Sequence, residues 1–228
     1  MYAYDYPEDA SPFSFVTRTE LERIAGALRV TTGMRFADIA CGQAGPSLCV
    51  ARATGAFVIG IDSSEVAIGA AKTAAGARGL AHRAAFLIAD AAATGLRSAS
   101  TDGVMSIDAL QLMKHRDAVL AEISRILKPG ARFAFTTWVS RQADKGPAFP
   151  VDYGPLLHTV GLSVESCDEP SNWEPRETAV FAAIRDSAAR LRMELGETVA
   201  SMLASEADSM PQVYPLIRRL NIVARKRG

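Results

Sequence analysis

The most distinctive segment of the chain is a loop of small residues, Asp38–Gly45, with the sequence DIACGQAG. An apolar run leads into this loop, and Pro46 follows at a position that suits the first turn of a helix, where a missing N–H is no loss. Small residues let a ligand approach the backbone closely, and a helix N-terminus offers free N–H groups. A tight strand-to-helix turn without a ligand has the same pattern, so the loop alone leaves both interpretations open.

A carboxylate, Asp62, ends the next apolar run, which begins at Phe57. It stands about 20 residues beyond Gly42, the spacing at which a second-strand carboxylate reaches the ribose hydroxyls of a nucleotide-like ligand. The alternative is an Asp that caps a helix beginning near Ser64. The loop and the carboxylate together predict a cofactor that contains a nucleoside.

Two further carboxylates bear on the choice of cofactor. Ala40, Gly42 and Gly45 satisfy a relaxed dinucleotide fingerprint, so NAD must be weighed. Asp38 ends the first strand, where it would repel a pyrophosphate but attract the α-amino group of a sulfonium cofactor. Asp90 ends the third strand, where it can accept a hydrogen bond from an adenine amino group, and no Tyr-x-x-x-Lys pattern for hydride transfer follows.

The segment after the fourth strand is the usual approach to a substrate pocket, and it carries Asp108, Gln111 and His115. His115 is a candidate general base because imidazole titrates near neutrality, although a surface histidine in the turn before a helix is the more favoured interpretation. His158, on a short predicted helix after a proline-rich loop, is the better-placed candidate base.

Aromatic residues cluster at the N-terminus, and several others follow strand ends or occupy loops. The N-terminal arm either forms a lid over cofactor and substrate or is stapled onto the core. The later aromatics either line an apolar pocket, with Tyr153 and Phe15 as substrate contacts, or belong to the core. The arm carries Tyr2, Tyr4, Tyr6, Phe13 and Phe15, and the later aromatics are Trp138, Tyr153 and Trp173. Core packing is also the favoured role of Met193, Leu195, Met202, Leu203 and Met210 in the last predicted helices.

Composition limits the partners of the chain. Its 228 residues carry 25 basic and 25 acidic side chains, without the basic excess of a nucleic-acid binder, so we expect a small-molecule substrate. Three cysteines without a Cys-x-x-Cys pair suggest no metal site and favour a reducing, cytoplasmic location. The acidic, aromatic start is unlike a signal peptide, and no apolar run is long enough to span a membrane. We expect a monomer or homodimer.

Apolar runs alternate with helical segments, which is typical of βαβ units with a parallel sheet covered on both faces. The predicted strands are Arg35–Ala40, Ala56–Asp62, Ala84–Asp90, Asp102–Asp108, Arg132–Thr137, Leu162–Cys167 and Leu220–Arg225. The predicted helices include Pro46–Thr54, Ser64–Ala77, Asp117–Leu127, Leu156–Val160, Pro175–Leu195 and Thr198–Asp208. A capping box of Thr19 and Glu22 is predicted to begin a further helix at the N-terminal side.

The ordered motifs resemble those of class I S-adenosylmethionine-dependent methyltransferases of the small-molecule type. They are DIACGQAGP at 38–46, GIDSS at 60–64, ADA at 89–91, SIDALQ at 106–111 and ILKPG at 126–130. The resemblance covers about residues 30–138. It implies an α/β Rossmann-like methyltransferase fold, a doubly wound, mostly parallel seven-stranded sheet with an antiparallel last strand. The whole of 1–228 would form one domain, with an arm and helix at 1–30, a cofactor-binding core at 31–138 and substrate-side elements at 139–228.

The resemblance also implies roles for single residues of the cofactor site. Residues around the loop would line the methionine part, the second-strand pair would bind the ribose, and the third-strand pair would bind the adenine. These sets are Asp38, Ala40, Gly42 and Gln43, then Asp62 and Ser63, then Asp90 and Ala91. Asp108 would lie beside the transferring methyl group. The chain departs from the family at Ala40 and Ala44, where glycine is more common, and the extra methyl groups either narrow the slot or are tolerated at negative φ.

The resemblance implies methyl transfer to a small, mostly apolar metabolite, with secondary metabolism as one setting and S-adenosylhomocysteine as product. One alternative is a pericyclic cyclase of the same fold, in which the sulfonium serves as a fixed charge and no methyl is transferred. Another is a non-catalytic, cofactor-binding partner subunit, which a complete set of cofactor motifs disfavours. A dehydrogenase is disfavoured by Asp38 and Asp90.

Overall fold

The protein is described by a computed structural model that covers residues 5–7, 10, 14–143 and 149–228. The chain forms two compact units. The first comprises Met1–Thr137, Asp152–Asp168 and Leu220–Gly228, and the second comprises Trp138–Val151 and Glu169–Arg219.

The strands are β1 Arg35–Ile39, β2 Phe57–Asp62, β3 Ala84–Ile88, β4 Thr101–Ile107, β5 Leu127–Ser140, β6 Leu162–Asp168 and β7 Ile217–Lys226. The helices are α1 Arg18–Leu28, α2 Gly45–Thr54, α3 Glu65–Ala77, α4 Arg116–Ile126, α5 Gly154–Thr159, α6 Trp173–Asp186, α7 Ala188–Leu195 and α8 Glu197–Val213.

The strands form one seven-stranded sheet in the order β3-β2-β1-β4-β5-β7-β6. The β1–β2, β1–β4, β2–β3 and β4–β5 pairs are parallel, and β7 runs antiparallel to β6. This arrangement confirms the predicted α/β fold with an antiparallel last strand. Because the first four strands lie side by side and parallel, their carboxyl ends share one edge of the sheet, and the residues that follow them are brought together there.

The central strands are buried on both faces, as expected for a covered parallel sheet. Four of the five residues of β1 are buried, and helices α1, α2 and α3 contribute to the core around them. Leu28, Leu48 and Ile68, one from each helix, belong to the same apolar cluster as Phe36 of β1 and Met105 of β4. This packing fixes the strand ends that carry the predicted site.

The start of α1 differs from the prediction. The capping box is formed by Thr17 and Glu20, whose side chains each bind the other residue's backbone N–H at 3.1 and 2.8 Å. Thr19 lies inside the helix, and its N–H and hydroxyl both donate to the Asp5 carboxylate at 2.9 and 3.0 Å. The predicted Thr19–Glu22 box is therefore wrong by two residues.

The described part of the N-terminal arm is packed onto the first unit. Ala10 is fully buried in a small cluster with Val16 and Leu21, and its N–H donates to the carbonyl of Pro7 at 2.8 Å. Of the two roles expected for the arm, these contacts agree with an arm that packs against the core. Of the predicted aromatic lid, Tyr2, Tyr4 and Phe13 lie outside the described residues.

The second unit is built from α6, α7 and α8, and α8 packs against both of the other helices. Ser187 separates α6 from α7, so the predicted helix at 175–195 is two helices. Trp173 and Phe181 are buried and both contact the Tyr214 ring, with centroids 5.5 and 6.4 Å apart. Trp138 is buried as well. Burial assigns all these aromatics to the core.

The predicted core role of the methionines in this unit is wrong for two of them. Met193 is 83% exposed and Met202 is 66% exposed, and Leu195 is exposed as well. Met193 and Leu195 lie in α7, none of whose residues is buried, and Met202 lies on an exposed position of α8. Among the described residues, no helix is both long enough and apolar enough to cross a membrane.

Candidate cofactor site at the carboxyl edge of the sheet

The loop between β1 and α2 is held in an unusual backbone conformation. Ala40, Gly42 and Ala44 have φ values of 57°, 52° and 59°, so three alternate residues are left-handed. The alternative that Ala40 and Ala44 replace glycine because their φ angles are negative is therefore excluded. A left-handed alanine costs about 1–2 kcal/mol, and such strain is typical of ligand-binding segments. A Cβ added at Gly42 would meet no atom of the described residues within 4 Å, so this part of the loop has room for a ligand.

Asp38 lies beneath this loop and is 2% exposed. One of its carboxylate oxygens, Oδ1, has no hydrogen-bond partner among the described residues. Burial raises the pKa of Asp38 to about 7, a hydrogen bond from Ser47 lowers it in part, and the nearby Asp62 carboxylate raises it further. An oxygen of this kind is suited to a ligand that brings a donor or a positive charge.

Asp62 connects the loop to the start of α3. Its Oδ2 accepts from the N–H of Gly42 at 2.9 Å, and its Oδ1 accepts from the N–H of Ser64 at 2.9 Å. The cap of α3 is Ser64, whose hydroxyl accepts from the N–H of Ala67. The interpretation of Asp62 as that helix cap is therefore wrong. Ser63 lies beside it, exposed at the edge of the sheet.

The residues after β3 lie next to Asp62. Strand β3 pairs with β2 so that Ile88 is opposite Asp62, and the N–H of Ala89 donates to the carbonyl of Asp62 at 3.1 Å. Asp90 is exposed, and its Oδ1 accepts from the N–H of Ala92 at 2.7 Å. The turn leaves Asp90 and the partly exposed Ala91 at the same edge as Asp62.

Asp108 follows β4 in a left-handed conformation, with φ at 50°. Its Oδ1 accepts from the hydroxyl of Thr136 at 2.6 Å, and its Oδ2 accepts from the N–H of Phe15 at 3.1 Å. The structure thus brings Asp108 and Phe15, two predicted site residues, into contact. Because both oxygens accept hydrogen bonds, this carboxylate is arranged as an anchor rather than as a general base.

Gln111 and Tyr153, the other predicted substrate contacts, lie in a buried network. They are 3% and 1% exposed. Gln111 donates from Nε2 to the carbonyl of Asp108 at 2.5 Å and accepts at Oε1 from the hydroxyl of Thr137 at 3.0 Å. The hydroxyls of Tyr153 and Thr137 are 3.2 Å apart, and burial raises the pKa of Tyr153. Both side chains are occupied by protein partners, which does not support direct substrate contact.

The structure separates the two candidate bases. His115 is the N-terminal flanking residue of α4 and is exposed, on the segment that follows the carboxyl end of β4. His158 is exposed near the end of α5, which leads into β6. Since β6 runs in the direction of the parallel strands, its start lies at the opposite edge of the sheet from the loop. His158 is therefore not brought to the other site residues.

Three polar residues of this edge were not identified from sequence. Ser47 binds the Asp38 carboxylate, Thr136 binds the Asp108 carboxylate, and Thr137 binds Gln111. For the two threonines, the available signal was that a Thr-Thr pair ends the predicted strand at 132–137, where polar side chains are unexpected unless they have partners.

Comparisons with known proteins agree with this geometry. Residues 37–135 match the family model described as a methyltransferase domain. Methyltransferase GfsG of Streptomyces halstedii is 31% identical over 162 residues, which is 71% of this chain and 58% of that protein. The 27-O-demethylrifamycin SV methyltransferase of Amycolatopsis mediterranei is 28% identical, over 74% of this chain and 68% of that protein. Among solved structures, the [4+2]-cyclase SpnF superposes with a TM-score of 0.78 at 24% identity, over 91% of this chain and 79% of that one.

The fold, the loop and the carboxylates at this edge define a nucleoside-cofactor protein of the Rossmann-like class. By this match and these relatives, the chain is similar to the class I S-adenosylmethionine-dependent methyltransferases. It spans between 34% and 68% of the length of the first curated relatives that it matches.

Proposed function

We propose that this chain binds S-adenosylmethionine at the carboxyl edge of β1–β4 and transfers its methyl group to a small, mostly apolar metabolite. The observation that carries the proposal is the buried Asp38 carboxylate, with one oxygen that lacks a partner, beneath a loop strained into left-handed conformations. The match of residues 37–135 to a methyltransferase domain supports the same reaction.

The residues of this edge fit such a cofactor. An α-amino group near Asp38 would give the orphaned oxygen its missing partner, and it would favour the ionised carboxylate. The small residues of the loop leave room for the methionine part to approach the backbone. Bound S-adenosylmethionine would supply an electrophilic methyl group on its sulfonium.

The chain's own residues would bind and orient the cofactor. Asp62 already holds the loop through Gly42, and its carboxylate would accept hydrogen bonds from the ribose hydroxyls. Asp90 and Ala91, on the neighbouring strand, would contact the adenine. Neither role calls for proton transfer, so this part of the site works by positioning, which can supply several kcal/mol of a barrier.

For the acceptor we infer a small, weakly charged molecule rather than a polyanion. The formal net charge of the chain is zero, and relatives with similar sequence include a protein named for demethylrifamycin, a small molecule. Asp108 holds hydrogen bonds at both oxygens, so it does not stand ready to take a proton, and Asp38 would be paired with the amino group of the cofactor. An acceptor that ionises readily, such as a phenol or an enol, is therefore favoured.

Mass spectrometry with a deuterated methyl group on the cofactor tests the proposal. Purified protein is incubated with labelled S-adenosylmethionine and a panel of phenols, enolised β-diketones and hydroxylated polyenes. The expected result is one deuterated methyl on an acceptor, with an equal amount of S-adenosylhomocysteine, and its loss in Asp62→Ala. An isomerised acceptor of unchanged mass, with the cofactor intact, would instead support the cyclase alternative and overturn methyl transfer.

A further inference from the structure

Two consecutive threonines of β5, at the point where the neighbouring β4 ends, hold the turn that follows β4. Thr136 and Thr137 are fully or almost fully buried, and as neighbours on a strand they project from opposite faces of the sheet. The Thr136 hydroxyl donates to Oδ1 of Asp108 at 2.6 Å and accepts from the backbone N–H of Asp108 at 2.9 Å. Thr137 donates to Oε1 of Gln111 at 3.0 Å. The turn, residues 108–112, is thus fixed from both faces.

Side chains provide most of the support for this turn. Gln111 donates to the carbonyl of Asp108, while Arg116 donates to the carbonyls of Leu110 and Gln111 at 3.1 and 2.7 Å. Behind them, the Tyr153 hydroxyl lies 3.2 Å from that of Thr137 and also binds Arg116. The turn begins with a left-handed Asp108 and continues as a single 3-10 turn, Leu110–Leu112, so the side-chain partners add to a short set of backbone hydrogen bonds.

We infer that Thr137 is a positioning residue, which together with Gln111 and Tyr153 fixes the turn after β4 without touching the cofactor or the acceptor. The inference rests on the proposed function, since the turn matters for the reaction only if the methyl group passes beside it. Loss of the Thr137 hydroxyl would leave the buried Gln111 Oε1 and Tyr153 hydroxyl without this partner. The turn would then shift to find others, and small misplacements near a reacting centre can lower rates by about 100-fold.

The test uses Thr137→Val, which keeps the shape and removes the hydroxyl, and Thr137→Ser, which restores it. The matched control is Thr101→Val. Thr101 is also fully buried and its hydroxyl donates to a carbonyl, that of Ile126, at 2.9 Å, but it lies at the start of β4, at the opposite edge. Tyr153→Phe is a second variant in case Thr137→Val folds poorly, because it keeps the ring contact with Phe135 at 5.3 Å.

Three measurements are made on each variant: amide hydrogen exchange of the peptide containing 108–113, the Kd of S-adenosylhomocysteine by calorimetry, and kcat and KM with the panel acceptor of highest turnover. For Thr137→Val we expect faster exchange in this peptide, an almost unchanged Kd and a kcat about 10- to 100-fold lower. Thr137→Ser should return all three toward the parent values. Tyr153→Phe should change them in the same direction as Thr137→Val, but less.

Thr101→Val should lower the melting temperature without changing exchange at 108–113 or kcat. Equal effects of Thr137→Val and Thr101→Val would overturn the inference, because both hydroxyls would then be merely structural. A Kd raised as much as in Asp62→Ala would place Thr137 in the cofactor site instead. Failure of the parent to transfer methyl would count against the proposed function alone, since the exchange comparison still decides whether Thr137 orders the turn.

Discussion

At the scale of single residues, Asp38 is the most informative group. A carboxylate that is 2% exposed and has an oxygen without a partner destabilises the folded chain when ionised. Ser47 compensates only in part, and Asp62 nearby adds repulsion. Buried ionisable groups of this kind are typical of functional sites, where a ligand can compensate for their burial, so Asp38 is expected to contact the cofactor.

The pH dependence of stability provides a first prediction. The pKa of Asp38 is raised from 3.8 to about 7, so the native state binds this proton more tightly than the unfolded state. Its contribution to stability is present at acidic pH and is lost as the pH rises toward about 7. Asp38→Asn, which cannot ionise, should therefore become increasingly more stable than the parent as pH rises. Urea unfolding of both proteins from about pH 5 to about pH 8 measures this difference. A difference that does not change with pH would contradict the burial of an ionisable Asp38.

A second prediction concerns Asp62, whose carboxylate would bind the ribose. Asp62→Ala should weaken S-adenosylhomocysteine binding by about 1.5–3 kcal/mol, the value of charge-assisted hydrogen bonds, or more than tenfold in Kd. The control is Asp102→Ala, because Asp102 also accepts from a backbone N–H, that of Arg35 at 2.9 Å, but at the opposite edge of the sheet. Calorimetric titration gives both constants. If the two variants bind equally well, Asp62 only supports the loop.

The sequence predicts where the strand-end carboxylates lie, because each ends or follows an apolar run. The parallel order of the strands then brings all four to one edge of the sheet. They are Asp38, Asp62, Asp90 and Asp108. The sequence did not predict the left-handed Ala40 and Ala44, because the chain accepts this strain only in the folded loop. Nor did it predict that Gln111 binds Thr137 rather than a substrate. That pairing joins residues 26 positions apart, and periodicity contains no signal for it.

At the scale of elements, the contact between the N-terminal arm and α2 gives a third prediction. A Cβ on Gly45 would collide with the carbonyl oxygen of Ala10, so the first residue of α2 must be glycine while the arm is in place. Gly45→Ala should displace the arm and destabilise the protein by about 1–3 kcal/mol. Urea unfolding measures the loss, and proteolysis before residue 14 should become faster.

Gly69→Ala is the control for this prediction. Gly69 lies in α3, where an added Cβ would meet no atom within 4 Å. Replacing it should stabilise the helix by about 0.5–1 kcal/mol. If Gly45→Ala were as stable as Gly69→Ala, the arm would not be seated on α2 as the structure shows.

Helices and strands were predicted well where the apolar pattern is long. They were predicted poorly where a contact with a residue distant in sequence selects one of two equivalent patterns. Two overlapping pairs, Thr17 with Glu20 and Thr19 with Glu22, satisfy the capping-box pattern equally. The contact with Asp5 selects the first pair, because the Asp5 carboxylate accepts hydrogen bonds from the N–H and the hydroxyl of Thr19. The position of His158 has a topological reason: its helix precedes β6, whose start lies at the edge of the sheet opposite the loop.

At the scale of the whole molecule, the sheet order and the match to a methyltransferase domain point to a cofactor site on the first unit. The relaxed dinucleotide fingerprint leaves NAD as the main competitor for this edge. Asp38 distinguishes the two, because a buried carboxylate attracts the amino group of S-adenosylmethionine and repels a pyrophosphate.

Parallel calorimetric titrations with S-adenosylhomocysteine and NAD test this central claim most directly. We predict saturable binding of S-adenosylhomocysteine and none of NAD. At a ligand concentration about 100 times its Kd, S-adenosylhomocysteine should also stabilise the protein by about 2.7 kcal/mol. Binding of NAD with no response to S-adenosylhomocysteine would contradict the account.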